Sequence, residues 1–421
     1  MFRFVHTADI HLDSPLRSLA LRDAKLAEFI GNATRRAFVR IIDLCLEEQA
    51  DALLIAGDLY DGEQTSMKTA RFLAEQLRRL HVTGIRAFIV RGNHDAMSKI
   101  TKELVLPDSV KVFTGRAEAV EIDRALGGAP VVIHGLSFAQ PHAPESLLGR
   151  YKPAIDEAVN IGMLHTSLGG APGHDLYSPC TIADLTATGF RYWALGHVHK
   201  RSIVEGACAI VMPGMPQGRD INEAGPKSAT VVTIDDDRSV HIENRTTSIA
   251  QFERVLVDAT GIEDWRELVS AVSRALERKR TGVVSDHLVA RVRIEGTTPL
   301  AWRIRRDTDL LKAEADDRAS VIGACWVEKL EIVCRSAEQR EEPSEDPLFE
   351  LHRVIEENIL ASDAFQNELV GMAEEIRAQL PPESRDAFGV DEVSFREALT
   401  RLARDGAESV MARLEPTGES G

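Results

Sequence analysis

Five short motifs whose side chains can bind metal follow one another along the N-terminal half of the chain. They are Asp9-Ile-His11, Gly57-Asp58, Gly92-Asn93-His94-Asp95, His165 and Gly196-His197-Val198-His199. Carboxylates, imidazoles and an amide oxygen, with no thiolate among them, are typical ligands of manganese, iron or magnesium rather than of structural zinc. These residue types therefore predict a site for two divalent metal ions with a proton-donating side chain beside it.

The motifs supply enough ligands for two metal ions and a proton donor. The candidate metal ligands are Asp9, His11, Asp58, Asn93, His165, His197 and His199. Two ions about 3.5–4 Å apart need a shared ligand, and a carboxylate has two oxygens, so we expect Asp58 to bridge them. Such a pair activates water for in-line attack on the phosphorus of a phosphoester. His94 is placed to protonate the leaving oxygen, and Asp95 is a candidate to orient His94 or another imidazole.

Each motif directly follows a run of apolar residues that is typical of a buried strand. The runs are Phe2–Ala8, Ala52–Ala56, Ile85–Val90, Ile161–Leu164 and Tyr192–Leu195. Helical patterns over 33–49 and 66–81 separate the first three runs, and shorter strands with close turns follow from residue 131 onwards. Because the carboxyl ends of such strands meet at one rim of a sheet, we expect the ligands to converge there. The change from helices to hairpins predicts a four-layer α/β/β/α sandwich over residues 1–250.

The remaining residues are predicted to form smaller units. Residues 251–340 alternate strand and helix patterns, which indicates a small α+β domain. Residues 341–346 are a polar linker. In residues 347–421 apolar side chains repeat in narrow seams on acidic helices, which predicts a partner-docking helical tail with a disordered end. Ser394 and Glu397 predict a capping box at the start of the last helix.

The charge is unevenly distributed. The net charge is −16, and residues 341–421 contain 7 Lys and Arg against 20 Asp and Glu, so the tail holds most of the acidity. The acidity therefore does not exclude a nucleic-acid partner for the first domain. No signal pattern and no apolar run of roughly 20 residues, the length that spans a bilayer, is present. With five scattered cysteines, this predicts a cytoplasmic protein with reduced thiols and no membrane segment.

The motifs resemble those of the calcineurin-like metallophosphoesterases, whose pattern D-x-H, G-D, G-N-H-[DE], H, G-H-x-H is present without substitution. The longer segments HTADIHLDSP (6–15), GDLYD (57–61) and LGHVHK (195–200) are similar to SbcD-type DNA repair nucleases, and most to their bacterial YhaO branch. The resemblance implies one metal bound by Asp9, His11, Asp58 and His199. It implies a second metal bound by Asp58, Asn93, His165 and His197, with His94 as the catalytic histidine. Some family members have a second catalytic histidine where this chain has Asp61.

The same resemblance implies that the small α+β domain over residues 251–340 is a capping domain, and it also implies a function. It predicts a two-metal phosphodiesterase that cleaves DNA, as an exonuclease or endonuclease, and whose tail binds an SMC-like, SbcC-type ATPase. Manganese is the expected metal, with magnesium and iron as alternatives, and a homodimer is left open. Two other functions also stay open: a phosphoesterase for a cyclic nucleotide, a nucleotide-lipid or a phosphoprotein, and a non-catalytic scaffold. The long C-terminal extension disfavours the small-substrate enzyme, and the complete ligand set disfavours the scaffold.

Overall fold

The structure is a computed structural model that describes residues 1–14, 16, 23–60, 66–96, 105–122, 129–169, 176–336, 347–380, 389 and 391–414. The predicted linker 341–346, Asp61 and the predicted disordered end lie outside these residues. The chain divides into two compact units. One comprises Met1–Arg254, Lys279–Ala290 and Ala324–Glu328, and the other comprises Val255–Arg278, Arg291–Gly323 and Lys329–Gly421. The domain limits expected from the sequence stay predictions.

The first unit contains a six-stranded sheet whose central strands are parallel. Numbered along the chain, its strands are β1 (Phe2–Thr7), β2 (Ala52–Ala56), β3 (Arg86–Val90), β4 (Val110–Val112), β11 (Ser228–Ile234) and β12 (Val240–Thr246). Their order is β12-β11-β1-β2-β3-β4, and β11 is antiparallel to both neighbours. Helices α1 (Ala24–Glu47) and α2 (Met67–Val82) connect the parallel strands.

A second six-stranded sheet belongs to the same unit. Its strands are β5 (Glu118–Ile122), β6 (Val131–Gly135), β7 (Val159–His165), β8 (Tyr192–Gly196), β9 (Ser202–Val204) and β10 (Ala209–Met212). Their order is β5-β6-β7-β8-β10-β9, with parallel pairing from β6 to β10. Helix α3 (Ile182–Ala187) precedes β8.

The two sheets pack face to face with helices outside them. Phe4 and Leu54 of the first sheet share a buried cluster with Ile161 of the second. Alternate residues of a strand point to opposite faces of the sheet. Val5 therefore lies on the outer face of the first sheet, where it packs with Phe38 of α1 in a cluster that also contains side chains of α2. On the outer face of the second sheet, Trp193 and Leu164 pack with Leu185 of α3. The predicted four-layer α/β/β/α sandwich is confirmed.

The described residues after β12 include a third, three-stranded sheet, six α-helices and a π-helical segment, Ile355–Ile359. The strands are β13 (Ala250–Asp258), β14 (His287–Glu295) and β15 (Cys325–Ile332), paired in that order. The helices are α4 (Trp265–Thr281), α5 (Ala301–Arg306), α6 (Thr308–Ile322), α7 (Pro347–Val354), α8 (Asp363–Gln379) and α9 (Glu392–Leu414). Among the described residues, no helix has both the length and the apolar character needed to cross a membrane.

Two helix starts differ from the sequence-based expectation. Helix α1 begins at Ala24 rather than near residue 33, because the Asp23 carboxylate accepts a hydrogen bond from the Leu26 N–H at 2.9 Å. Helix α9 begins at Glu392, and the Asp391 carboxylate accepts from the Ser394 N–H at 2.8 Å. The predicted capping box at Ser394 is therefore wrong, because Asp391 caps the helix and Ser394 lies within its first turn, where its hydroxyl accepts from the Asp391 N–H.

Candidate metal centre

The predicted site residues lie at the carboxyl ends of strands from both sheets. From the first sheet, Asp9 and His11 follow β1, Asp58 follows β2, and Asn93, His94 and Asp95 follow β3. From the second sheet, His165 ends β7, and His197 and His199 follow β8. The two sets meet where the His197 N–H donates to Asp9 Oδ1 and Oδ2, at 3.0 and 3.1 Å. The structure thus brings the ligands expected from the sequence to one place.

The loops that carry these residues have an unusual backbone. Asp9, His11, Asp58 and His197 have positive φ angles of 53°, 47°, 51° and 101°. Left-handed conformations at non-glycine residues cost on the order of 1–3 kcal/mol each and persist only where the surroundings hold them. Here the Asp9 and His11 N–H groups donate to the carbonyl oxygens of Gly57 and Asp58, each at 3.0 Å. Backbone hydrogen bonds between the two loops therefore fix the ligand directions.

Asp9, His11 and His199 form the first of two candidate ligand clusters. One ligand atom from each lies within 4.8 Å of the others. The Nε2 atoms of His11 and His199 are 3.3 Å apart. Asp9 and His11 are fully buried, whereas the His199 side chain is one-third exposed. This arrangement suits an ion that is held from the protein side and reached from solvent.

Asp58, His165 and His197 form the second cluster, beside Asn93. Because a carbonyl oxygen only accepts, His165 Nδ1 donates to the Ala56 carbonyl oxygen at 3.0 Å. In the neutral ring, Nε2 is then an acceptor, and it faces Asn93 Oδ1 at 3.0 Å and Asp58 Oδ2 at 3.3 Å. Three acceptors that face one another need a proton or a cation between them. This donor set therefore fits a divalent metal.

Electrostatics couple the Asp58 carboxylate to both clusters. Burial alone would raise the pKa of Asp58, but the nearby His165 and His11 outweigh it and hold that pKa well below its usual range. Burial would lower the pKa of His165, yet Asp58 raises it to about 9. Burial raises the pKa of Asp9 to about 6. Without metal, one buried carboxylate thus holds a proton on a neighbouring imidazole, and a metal ion would displace that proton.

Glycine at position 92 leaves the space in which the second cluster converges. A Cβ atom there would lie 2.3 Å from Asp58 Oδ1 and 2.7 Å from His165 Nε2. No side chain fits at these distances, so the motif needs glycine directly before Asn93. The absence of a Cβ lets the backbone at residue 92 lie close to the ligand atoms of Asp58 and His165.

His94 and Asp95 have different surroundings. His94 is exposed, its ring centroid lies 5.0 Å from that of His11, and its N–H donates to Asp58 Oδ1 at 3.1 Å. Asp95 is buried and accepts from the Leu59 N–H at 2.9 Å. Burial, followed by the charge of Asp58, raises the pKa of Asp95 to about 7. The orienting role expected of Asp95 stays a prediction, and its observed bond favours a role in holding together the loops after β2 and β3.

Sequence reasoning missed Glu223, which contacts His199 of the first cluster, and Arg219, which contacts Glu223. Glu223 Oε1 lies 3.0 Å from His199 Nδ1, and the Arg219 guanidinium donates to the same oxygen at 2.8 Å. No spacing rule identifies a carboxylate this far beyond the His199 motif. Tyr177 was also missed, because no motif includes it. Its ring centroid lies 5.1 Å from that of His197.

The sequence resembles known metallophosphoesterases in two regions. Residues 2–201 match the calcineurin-like phosphoesterase family, and residues 252–335 match the middle domain of the metallophosphoesterase YhaO. An uncharacterized metallophosphoesterase of Bacillus subtilis, YhaO, is 32% identical over 299 residues, which cover 70% of this chain and 72% of that protein.

Two further likenesses are more distant. The DNA double-strand break repair protein Mre11 of Methanopyrus kandleri is 26% identical over 420 residues, which cover 92% of this chain and 86% of that protein. A dimetal phosphatase from Danio rerio aligns in structure with 58% of this chain and 96% of its own, at 10% identity and a TM-score of 0.37. The latter value is too low to support any argument about this chain.

Proposed function

The chain belongs to the calcineurin-like metallophosphoesterases, and from this premise we propose that it is a two-metal phosphodiesterase that cleaves DNA. Hydrolysis of phosphoesters with divalent metal is the property of the family. The DNA substrate, the number of ions and manganese as the native metal are the proposed parts. We also propose that the protein is located in the cytoplasm.

Asp58 is the proposed bridge between two ions. Its carboxylate interacts electrostatically with His11 of the first cluster and hydrogen-bonds to His165 of the second. We assign Asp9, His11, Asp58 and His199 to one ion. Asp58, Asn93, His165 and His197 are assigned to the other. When bound, the two ions would supply Lewis acidity at the phosphate and lower the pKa of a water molecule.

The protein's own side chains do the rest of the chemistry. His94 is the exposed imidazole at the rim, beside the ring of His11, and it is therefore positioned to protonate the leaving oxygen. Its backbone N–H donates to Asp58, which fixes its distance from the proposed bridge. No side chain is required as a covalent nucleophile.

One observation supports DNA over a small substrate. The likeness to the Mre11 protein of M. kandleri is not confined to the metal-binding motifs but extends over 92% of the chain. A likeness limited to the metal site would fit any phosphoesterase of this fold. Similarity through the later residues as well favours a shared substrate class.

We also propose three domains, with the limits 1–250, 251–340 and 347–421. The linker 341–346 joins the second domain to the third.

Cleavage of labelled linear duplex DNA tests this proposal. We expect manganese-dependent release of nucleotides or short fragments, and no release after treatment with EDTA. Bis-p-nitrophenyl phosphate, a generic phosphodiester, serves as the comparison substrate. Turnover of this compound without cleavage of duplex or single-stranded DNA would contradict the DNA assignment and favour a small-substrate enzyme. Failure on both substrates with manganese, magnesium and iron would favour the scaffold.

We further propose that the tail helices α7–α9 bind the SMC-like ATPase. Part of the expected seam packs within the tail itself, where Phe395 and Leu399 of α9 are buried with Ala373 of α8. Leu402 and Met372, on the same two helices, are 51% and 53% exposed. The exposed side chains form the surface offered to a partner helix.

Charge insertions on this surface test the partner proposal. Leu402→Glu with Met372→Glu should abolish co-purification with the ATPase and leave hydrolysis of the generic phosphodiester unchanged. Arg401→Glu, an exposed position on α9, is the matched control and should retain binding. Wild-type co-purification by the double variant would contradict the assignment of the tail.

A further inference from the structure

The segment from residue 213 to 227 folds back over the turn that carries His199. Gly214 has a φ of 71°, and a Cβ there would lie 2.7 Å from the His199 carbonyl oxygen. A short 3-10 helix, Ile221–Glu223, follows, and the Asp220 side chain accepts from the Asn222 N–H at its start. The segment therefore returns a carboxylate, Glu223, to a histidine that precedes it by more than 20 residues.

Glu223 sets the direction of the His199 ring. A carboxylate oxygen accepts, so His199 Nδ1 is the donor in the 3.0 Å contact with Glu223 Oε1. In the neutral ring this leaves Nε2 unprotonated. That atom faces His11 Nε2 at 3.3 Å, inside the cluster with Asp9. A metal-binding histidine needs this tautomer, and a bond at its other nitrogen is the usual way to hold it.

Arg219 holds Glu223 in turn. Its backbone N–H donates to Glu223 Oε2 at 2.7 Å, and its guanidinium donates to Oε1 at 2.8 Å. The same guanidinium lies 3.3 Å from the hydroxyl of Ser14, three residues after His11. The side chains of Glu223 and Arg219 are only 11% and 16% exposed, so solvent screens this pair weakly. The carboxylate is therefore constrained at both oxygens.

The 3-10 helix is itself anchored by apolar contacts. Ile221 is buried in a cluster with Leu26 and Ile30 of α1 and Phe252 of β13. Upstream, the buried Gln217 accepts from the Ile249 and Ala250 N–H groups at 2.8 and 3.1 Å. Residues on both sides of Glu223 are thus fixed to the protein interior, which gives the carboxylate a defined position.

We propose that Glu223 is a positioning residue that holds His199 in the tautomer and orientation needed to bind metal, with Arg219 holding Glu223. The inference rests on the metal centre proposed above. It assigns a role to a residue outside the five motifs. Partners of this kind typically contribute about 10–100-fold to metal affinity.

Metal binding, rather than DNA cleavage, tests this proposal. Free Mn²⁺ measured by electron paramagnetic resonance during titration gives the affinity of each site in the full-length protein. We expect Glu223→Ala to weaken one of two sites by at least about tenfold and to leave the other within about threefold. Glu223→Gln keeps the volume and an acceptor oxygen, so it should fold like the wild type and lose less affinity than Glu223→Ala. Glu118→Gln, whose carboxylate contacts Lys111 and Thr114, is the control and should bind both ions normally.

A second measurement separates positioning from general stability. In metal-free protein with ¹⁵N-labelled histidine, we expect the His199 proton to be on Nδ1 in the wild type and to shift towards Nε2 in Glu223→Ala, with a smaller shift in Glu223→Gln, which retains an acceptor oxygen. Wild-type affinities in both variants, or an unchanged tautomer in Glu223→Ala, would overturn the proposal, as would a wild-type protein that binds no ion here. If two ions bind normally but DNA is not cut, the substrate assignment fails while the role of Glu223 stands.

Discussion

The Asp9 carboxylate accepts the backbone N–H of His197 at both of its oxygens, at 3.0 and 3.1 Å. Asp9 follows β1 of the first sheet, and His197 follows β8 of the second. One candidate ligand therefore also holds the turn that carries two others. Site geometry and sheet packing at this rim therefore depend on each other.

Asp58→Asn should remove hydrolysis of every phosphodiester and weaken both metal sites. The substitution keeps the shape but removes the charge that acts on His11 and His165. Metal content after dialysis and turnover with manganese give the result. Two ions bound with near wild-type turnover would rule out Asp58 as the bridge.

His94→Gln should leave two ions bound while kcat falls at least about a hundredfold. The reason is that the His94 side chain is exposed at the rim, while its backbone N–H, which binds Asp58, is retained in the variant. Metal analysis and steady-state kinetics on the same sample test this. Loss of an ion would instead make His94 a ligand.

Gly92→Ala should abolish metal binding at the second cluster, because the new Cβ would lie 2.3 Å from Asp58 Oδ1. Gly31→Ala in α1 is the matched control, since a Cβ there meets nothing within 4 Å. That control should bind both metals and be more stable by about 0.5–1 kcal/mol. Titration with manganese and thermal melting distinguish the two. Normal metal binding by Gly92→Ala would show that the space before Asn93 is not needed.

Metal-free protein should lose stability as the pH rises from 6.5 to 9. Burial lowers the pKa of His165, but Asp58 outweighs this and raises it from 6.5 to about 9. A group whose folded pKa is raised stabilises the fold below its unfolded pKa and loses that contribution as the pH rises through the folded value. Melting temperatures in EDTA should therefore fall across this range, and less steeply in Asp58→Asn. A flat profile in the wild type would contradict this assignment of charge.

The sequence was sufficient to predict the convergence of the ligands but not the support around them. Asp9, Asp58 and His165 each follow an apolar strand, and parallel strands place their carboxyl ends together, so local pattern carried that information. Glu223 reaches His199 because the segment from residue 213 to 227 folds back. Gly214, Gln217 and Ile221 fix this segment through tertiary contacts, which leave no repeating pattern in the sequence. The early start of α1 was missed although Leu26 and Ile30 are buried and continue the helical spacing of its apolar residues.

The division of the centre between two sheets has a kinetic consequence. Strands β1 to β3 and strands β7 and β8 must fold and dock before Asp9 and His197 can meet, and the contact between them spans 188 residues. We expect contacts of such long range to form late, so that the transition state for folding contains little of the site. Metal added during refolding should leave the folding rate unchanged and slow unfolding. The ions would then act chiefly on the lifetime of the folded protein.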